Sequence, residues 1–319
     1  MPESRVRVTG LHHVTAIAGH PQENLDFYTG TLGLRLVKRS VNQDDPGTYH
    51  LFYADGEGHP GSEITFFPWI GMRPGRKGVG SAVEVALAVP PDTLDFWTGR
   101  LSEGPTRLGD VRERFGERTL PFTDPHGLEL ALVETDGPRE FTPWERSPIP
   151  ADRQIRGLHG VRLWERDRMA TADFLRDVLG FDPVGDEAGW HRFGSGDGGS
   201  GRLLDLREQT AARRGAWGRG SVHHVAWRVP DEEVQAEVRN GLAAAGRRPT
   251  AVIDRFWFKS VYFREPGGAL FEIATDGPGF SVDENAAELG ERLVLPPWLE
   301  PRRAWVEEIL PSLEAGTRA

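Results

Sequence analysis

Gly10-Leu11-His12-His13-Val14 returns as Gly157-Leu158-His159-Gly160-Val161, a shift of 147 residues. The same shift holds without a gap for Asp26-Phe27 against Asp173-Phe174 and for Leu32-Gly33 against Leu179-Gly180. A second pair lies between these. Gly80-Ser81-Ala82-Val83-Glu84-Val85-Ala86 matches Gly220-Ser221-Val222-His223-His224-Val225-Ala226 at a shift of 140. Downstream, Pro125-x-Gly127 matches Pro266-x-Gly268, and Arg114 matches Arg255, both at a shift of 141. Offsets this constant define four related units, starting near residues 9, 80, 156 and 220.

Each unit reads in one order. A short alternating strand, such as Val14-Thr15-Ala16-Ile17, opens it. A helix follows, Glu23 to Leu32 in unit one, with Leu25, Tyr28 and Leu32 on one stripe and Gly33 just past its end. Strands then return, at Tyr49–Tyr53 and Glu63–Phe67, separated by Asp55-Gly56-Glu57-Gly58. The expected fold class is therefore α+β, built from four βαβββ modules. One such module leaves an open sheet face, so four imply two paired open barrels. The expected domain plan is 1–150 for modules one (9–70) and two (80–135) with a linker, and 151–319 for modules three (156–208) and four (220–277) with a helical tail, 283–319. Residues 136–156, with four prolines, read as the linker. Gly194 to Gly201 reads as a hairpin loop, and Arg73-Pro-Gly-Arg-Lys-Gly78 as an exposed connection. In the tail, Glu300-Pro301 opens a helix with Trp305, Val306, Ile309 and Leu310 as its packing stripe and Pro311 at its end.

Composition narrows the function classes. The 319 residues carry a formal net charge of −10, the wrong sign for a duplex-binding footprint. There is no cysteine, which excludes disulfides, thiolate metal sites and thiol nucleophiles. No run approaches a membrane span and the N-terminus has no signal-peptide core, so a cytoplasmic protein without membrane or nucleic-acid partners is expected. The chain is compatible with a homo-oligomer.

Of ten histidines, His20, His59, His126 and His191 fall in turns or at strand ends and read as solvated. His50 reads as an interior strand histidine. The doublets His12-His13 and His223-His224 stand at equivalent places in two units. At the second doublet position the four units carry His13, Glu84, Gly160 and His224. In the last strand they carry Thr65, Ala131, Asp205 and Glu272. Pairing unit one with unit four unites His13, His224 and Glu272, with Thr65 in the fourth corner. Pairing unit two with unit three then leaves no transition-metal set. Two imidazoles and a carboxylate on one face form the facial triad of non-haem Fe(II), which leaves positions for an organic substrate and O₂; zinc would use the same ligands mainly to activate water. Strand alternation turns His12 and His223 to the opposite face unless a bulge redirects them. Tyr262 and Glu272 flank the turn Pro266-Gly267-Gly268 on adjacent strands, and Tyr262 with Arg255 offers a phenol and a guanidinium for a phenolic substrate.

The motifs LHHV at 11–14, VHHVA at 222–226 and PGGALFE at 266–272, with the four-unit plan, resemble the vicinal oxygen chelate superfamily (glyoxalase, bleomycin resistance and extradiol dioxygenase proteins). Tyr49-His50-Leu51-x-Tyr53-Ala54-Asp55, Gly58-x-Pro60-Gly61, Asp283-Glu284 and Leu289-Gly290 extend the likeness to the hydroquinone-type ring-cleaving dioxygenases within it, among them the 2,6-dichlorohydroquinone enzymes. The stretch Val41 to Gly47 departs from the chlorinated-substrate enzymes. The resemblance implies Fe(II), with Mn(II) as an alternative, bound by His13, His224 and Glu272. It also implies surrounding roles for His12, His223, Arg255 and Tyr262, with a small aromatic diol, hydroquinone or catechol, and O₂ as substrates. A glyoxalase-type isomerase or lyase and a metal-free small-molecule binding protein are the competing functions.

Overall fold

A computed structural model describes residues 7–137 and 139–314. Unit one holds β1 (Leu11–Ala18), α1 (Pro21–Leu25), β2 (Arg35–Asn42), β3 (Asp45–Ala54) and β4 (Glu63–Pro68). Unit two holds β5 (Ser81–Val89), α2 (Leu94–Ser102), β6 (Arg107–Leu108), β7 (Arg112–Arg114), β8 (Glu117–Thr123) and β9 (Glu129–Glu134). Unit three comprises β10 (Gly157–Glu165), α3 (Arg168–Phe174), β11 (Phe181–Glu187), β12 (Trp190–Ser195) and β13 (Leu203–Glu208). Unit four comprises β14 (Val222–Val229), α4 (Glu232–Ala244), β15 (Ile253–Asp254), β16 (Lys259–Arg264) and β17 (Leu270–Thr275).

The strands form two sheets. The first has the order β15-β16-β17-β14-β1-β4-β3-β2, and the second runs β11-β12-β13-β10-β5-β9-β8-β6 with β7 on β8. Unit one is therefore joined to unit four through β1 and β14, and unit two to unit three through β5 and β10, both antiparallel. Within each unit the opening strand lies parallel to the last. Those registers place Thr15 opposite Thr65, Ala86 opposite Ala131, Arg162 opposite Asp205 and Ala226 opposite Glu272. Each is two residues past the second doublet position, so the four last-strand positions are geometrically equivalent.

The helix of unit one starts at Pro21, earlier than the sequence suggests, and widens to a π-turn over Asp26–Thr31, closed by Leu32 N–H donating to the Phe27 carbonyl. Leu25, Tyr28 and Leu32 are buried in the main core. Unit three repeats the device at Leu175–Leu179. Both helices end at a glycine with positive φ, 69° at Gly33 and 76° at Gly180. At Gly33 a Cβ would also lie 2.3 Å from Ile149 of the linker, so the glycine is needed twice over.

Three expectations need correction. The terminal helix (α5, Arg303–Ile309) buries Val306, but Trp305 and Ile309 are 40% and 41% exposed, because a helix this short offers the core a single turn. His126 is buried, not solvated, with Nε2 3.1 Å from Glu23. His59 is half-buried and held by Asp55 at 2.7 Å. The 73–78 connection keeps its charged side chains exposed, yet its backbone bridges the 214–219 connection. Among the described residues no helix is long and apolar enough to cross a membrane.

Candidate metal centre

His13 leaves β1 and His224 leaves β14 on the face they share with Glu272 of β17. His13 Nε2 lies 3.2 Å from His224 Nε2, and Glu272 Oε2 lies 3.3 Å and 3.0 Å from the two imidazoles. All three side chains are buried. Ser260, on the neighbouring strand, donates a short hydrogen bond to Glu272 Oε1. Oε2 is left buried without a hydrogen-bond donor. Burial by itself would raise the Glu272 pKa, but His13 and His224 hold it well below the ordinary carboxylate value.

The tautomers follow from the hydrogen bonds. His12 Nε2 is 3.1 Å from the Thr275 carbonyl, which can only accept, so this nitrogen carries a proton. Burial and His13 push the His12 pKa down to about 3, so the ring is neutral and its Nδ1 is bare. His13 Nδ1, 2.9 Å away, must then be the donor, and its other nitrogen, Nε2, faces Glu272. His223 and His224 repeat the Nδ1 contact at 2.8 Å. Two imidazole nitrogens and a carboxylate oxygen thus converge within 3.0–3.3 Å of one another in a buried setting. Ligand spacing of this size suits a first-row divalent ion with bonds of ~2.0–2.2 Å. The donor set fits the implied metal, and the pairs Thr275–His12–His13 and His223–His224 orient its imidazoles.

The bulges decide where the first histidines go. In the β1–β14 ladder the register slips between Leu11 and His13 and again between Thr15 and Ala16, leaving His12 and His223 as the extra residues. Simple alternation is thereby overturned: each first histidine turns edge-on to its neighbour, with ring centroids 5.1 Å apart in both doublets. A second buried cluster, His12, His13 and Glu63, lies behind the centre. Its imidazole Nδ1 atoms are already engaged with each other, and burial raises the Glu63 pKa well above the ordinary value, so it is no rival metal site.

Tyr262 faces Glu272 across the β16–β17 ladder, and its ring centroid is 5.6 Å from that of His224. Arg255 lies with its guanidinium 5.4 Å from the Tyr262 ring and is ion-paired to Asp44 at 2.8 Å. Burial and Glu272 push the Tyr262 phenol above its ordinary value, while Arg255 opposes this. Thr65, in the fourth corner, is tied to Thr15 at 2.7 Å and His50 at 2.9 Å. His13, His224, Arg255 and Tyr262 thus line one internal space with His50, Asp44, Trp257 and Phe258. Sequence reasoning missed Ser260, Asp44 and the two aromatics. Ser260 had a signal, since it stands two residues before Tyr262 on the same strand face; the others come from a hairpin and a turn that no repeat marks.

The second sheet carries ions where the first carries ligands. Arg114 grips Glu84 at 2.6 and 3.3 Å, and Arg162 and Arg192 meet Asp205 at 3.0 and 2.8 Å. Glu117 joins Arg192 at 2.8 Å and lies 3.2 Å from His159.

The sequence profile of the Glyoxalase/Bleomycin resistance protein/Dioxygenase superfamily matches residues 10–132 and 157–273. The chain is 45% identical to the "Putative ring-cleaving dioxygenase MhqO" of Bacillus subtilis (strain 168), over 97% of each chain. It is 34% identical to the chlorohydroquinone/hydroquinone 1,2-dioxygenase of Sphingobium indicum, over 92% of this chain and 93% of that one. Among solved structures, a "putative dioxygenase" from Bacillus subtilis superposes with a TM-score of 0.92 at 44% identity, covering 98% and 99% of the two chains. With both halves matched and relatives aligned over nearly the full length, the chain belongs to the glyoxalase/bleomycin resistance protein/dioxygenase superfamily.

Proposed function

We propose that the protein is an Fe(II)-dependent, extradiol-type ring-cleaving dioxygenase that opens a hydroquinone or a catechol with O₂. The observation that carries this reading is the triangle of His13 Nε2, His224 Nε2 and Glu272 Oε2 around an otherwise undonated buried oxygen. The names of the relatives support it. A bound Fe(II) supplies open coordination positions and a route for electrons from the aromatic ring to oxygen.

The chain's own residues supply the rest. Phe52, Phe67, Trp257 and Phe258 give the site aromatic walls suited to an aromatic ring. Arg255 holds the oxygen anion of an ionised diol by charge-assisted hydrogen bonding. Tyr262, held protonated, keeps a proton at its phenol oxygen for the ring-opening step. The walls leave about 30 Å³, enough for water and not for a ring. The 42–45 hairpin, clasped to Arg255 by Asp44 at 2.8 Å and by Gln43 at 2.9 Å, closes one side of this space. A glyoxalase-type isomerase would want a fourth protein ligand, and the Thr65 hydroxyl is already committed to Thr15 and His50.

The test is anaerobic loading with Fe(II), and in parallel with Mn(II), followed by oxygen-electrode assays on a panel of hydroquinones and catechols. One metal per chain and stoichiometric O₂ uptake on at least one diol are expected. No uptake on any diol would reject the reading.

A further inference from the structure

A cavity of about 600 Å³ lies apart from the space beside His13 and His224. It lies where the connection between units one and two runs against the connection between units three and four, bridged at Pro74–Arg219, Arg76–Ala216 and Val79–Arg214. Six cationic side chains line it: Arg76, Lys77, Arg107, Arg214, Arg219 and Arg264. Glu129 is the one carboxylate among its lining residues. On a chain with a net charge of −10, this is a concentrated field of the opposite sign.

The cations are held but not neutralised. Among the described residues none of the six has a carboxylate within 4.0 Å. The contrast with the second sheet is direct, because Arg114, Arg162 and Arg192 there are all ion-paired. Arg76 instead donates to the Arg214 carbonyl at 3.2 Å, and Arg264 donates to the Gly268 carbonyl at 2.7 Å. Lys77 sits 5.0 Å over the Trp164 ring, and Arg264 5.5 Å from the Trp217 ring. His126, buried against the same cavity, has an Nδ1 without a hydrogen-bond partner. Like charges crowded around a concave space of ligand size repel until an anion enters.

We propose that this cavity binds a small, multiply charged anion carrying carboxylate or phosphate groups. Planar guanidiniums pair with either group. The location also connects the cavity to the metal centre, since Trp217 stacks on His223 at 4.2 Å and His223 touches His224. Two sources share the chemistry: a carboxylate released by ring opening, and a free phosphate compound.

The test is calorimetric titration of the full chain at low ionic strength with inorganic pyrophosphate and with adipate. One saturable site per chain is expected with at least one probe, its affinity falling as salt is added. Arg76→Ala/Arg214→Ala and, separately, Lys77→Ala/Arg264→Ala should weaken it at least tenfold. Arg248→Ala, an exposed arginine outside the cavity, should leave it unchanged. All these side chains are exposed, so the variants should melt like the parent. Tighter adipate binding would assign the site to carboxylates, and tighter pyrophosphate binding to phosphates. No saturable binding of either probe, or affinity unchanged in both double variants, would overturn the proposal. The readout needs neither metal nor O₂ uptake, so its failure leaves the ring-cleavage reading standing.

Discussion

A phenol that must keep its proton until the moment of transfer gains from surroundings that resist its ionisation. Tyr262 has them, in burial and in the nearby Glu272 carboxylate. Tyr262→Phe should keep full iron and near-parental stability, since the ring packing survives, while kcat falls by ~10²–10⁴-fold. Steady-state kinetics beside a metal assay decide this; full iron with unchanged kcat would return Tyr262 to a packing role. Arg255→Ala should act differently, raising KM for the diol more than it lowers kcat, because it removes a holding charge. That His13, His224 and Glu272 come together was legible in the sequence because the repeat supplies an internal comparison at each position, and that Tyr262 faces Glu272 because the two flank one tight turn. His50, Asp44 and Ser260 were not, since what they do depends on which hydroxyl or guanidinium lies opposite, and unit equivalence says nothing about that.

Strand alternation is a statement about regular ladders, and β1 and β14 are irregular at the two places that matter. Pleating would send His12 and His223 away from the centre, whereas a bulge at each brings them edge-on to His13 and His224. A single inserted residue in a short strand leaves no mark in hydrophobic pattern, so this element-level feature could not be read beforehand. Its consequence can be measured. His12→Ala removes the link from the Thr275 carbonyl to His13 Nδ1 and frees the imidazole to turn. Iron affinity should drop by ~10–100-fold, the usual effect of deleting a ligand's hydrogen-bond partner. Titration against a competing chelator would show it, and parental affinity would mean that the His13 ring is fixed by packing against Phe258, 5.2 Å away.

The two sheets meet where Glu165, at the end of β10, points at the turn after β16. A Cβ on Gly267 would lie 1.5 Å from Glu165 Oε2, so the turn must be glycine there. Neither Glu165 carboxylate oxygen has a hydrogen-bond partner, and burial, with Glu265 adjacent, raises its pKa. An acid whose folded pKa exceeds its unfolded value of 4.5 stays protonated while the unfolded chain ionises. Stability is therefore fully retained below 4.5 and declines as pH rises toward the folded value, by at most about 1.4 kcal/mol per pH unit. Glu165→Gln should flatten that decline, so the gap between variant and parent in denaturant midpoint should be wider at pH 8 than at pH 5. A constant gap would contradict the assignment.

At the scale of the whole molecule, duplication produced two sheets of one architecture and gave them opposite interiors. The pairing of outer with outer and inner with inner units was legible because only that arrangement gathers His13, His224 and Glu272; the ion network of the inner pair was not, since its arginines lie on strands that carry no metal-ligand pattern. The division predicts a double dissociation. Asp205 accepts from both Arg162 and Arg192 in a buried setting, so Asp205→Ala leaves two guanidiniums short of a partner and should cost about 3–5 kcal/mol of stability. Its folded fraction should still bind one metal per chain, and so should His159→Ala. Glu272→Ala should do the reverse, losing the metal while the metal-free protein melts close to the parent, because it relieves an undonated buried oxygen. Denaturant unfolding of metal-free protein, paired with metal analysis of native protein, separates the two behaviours. If Asp205→Ala or His159→Ala emptied the metal centre as readily as Glu272→Ala, the chemistry would not reside in the outer sheet alone.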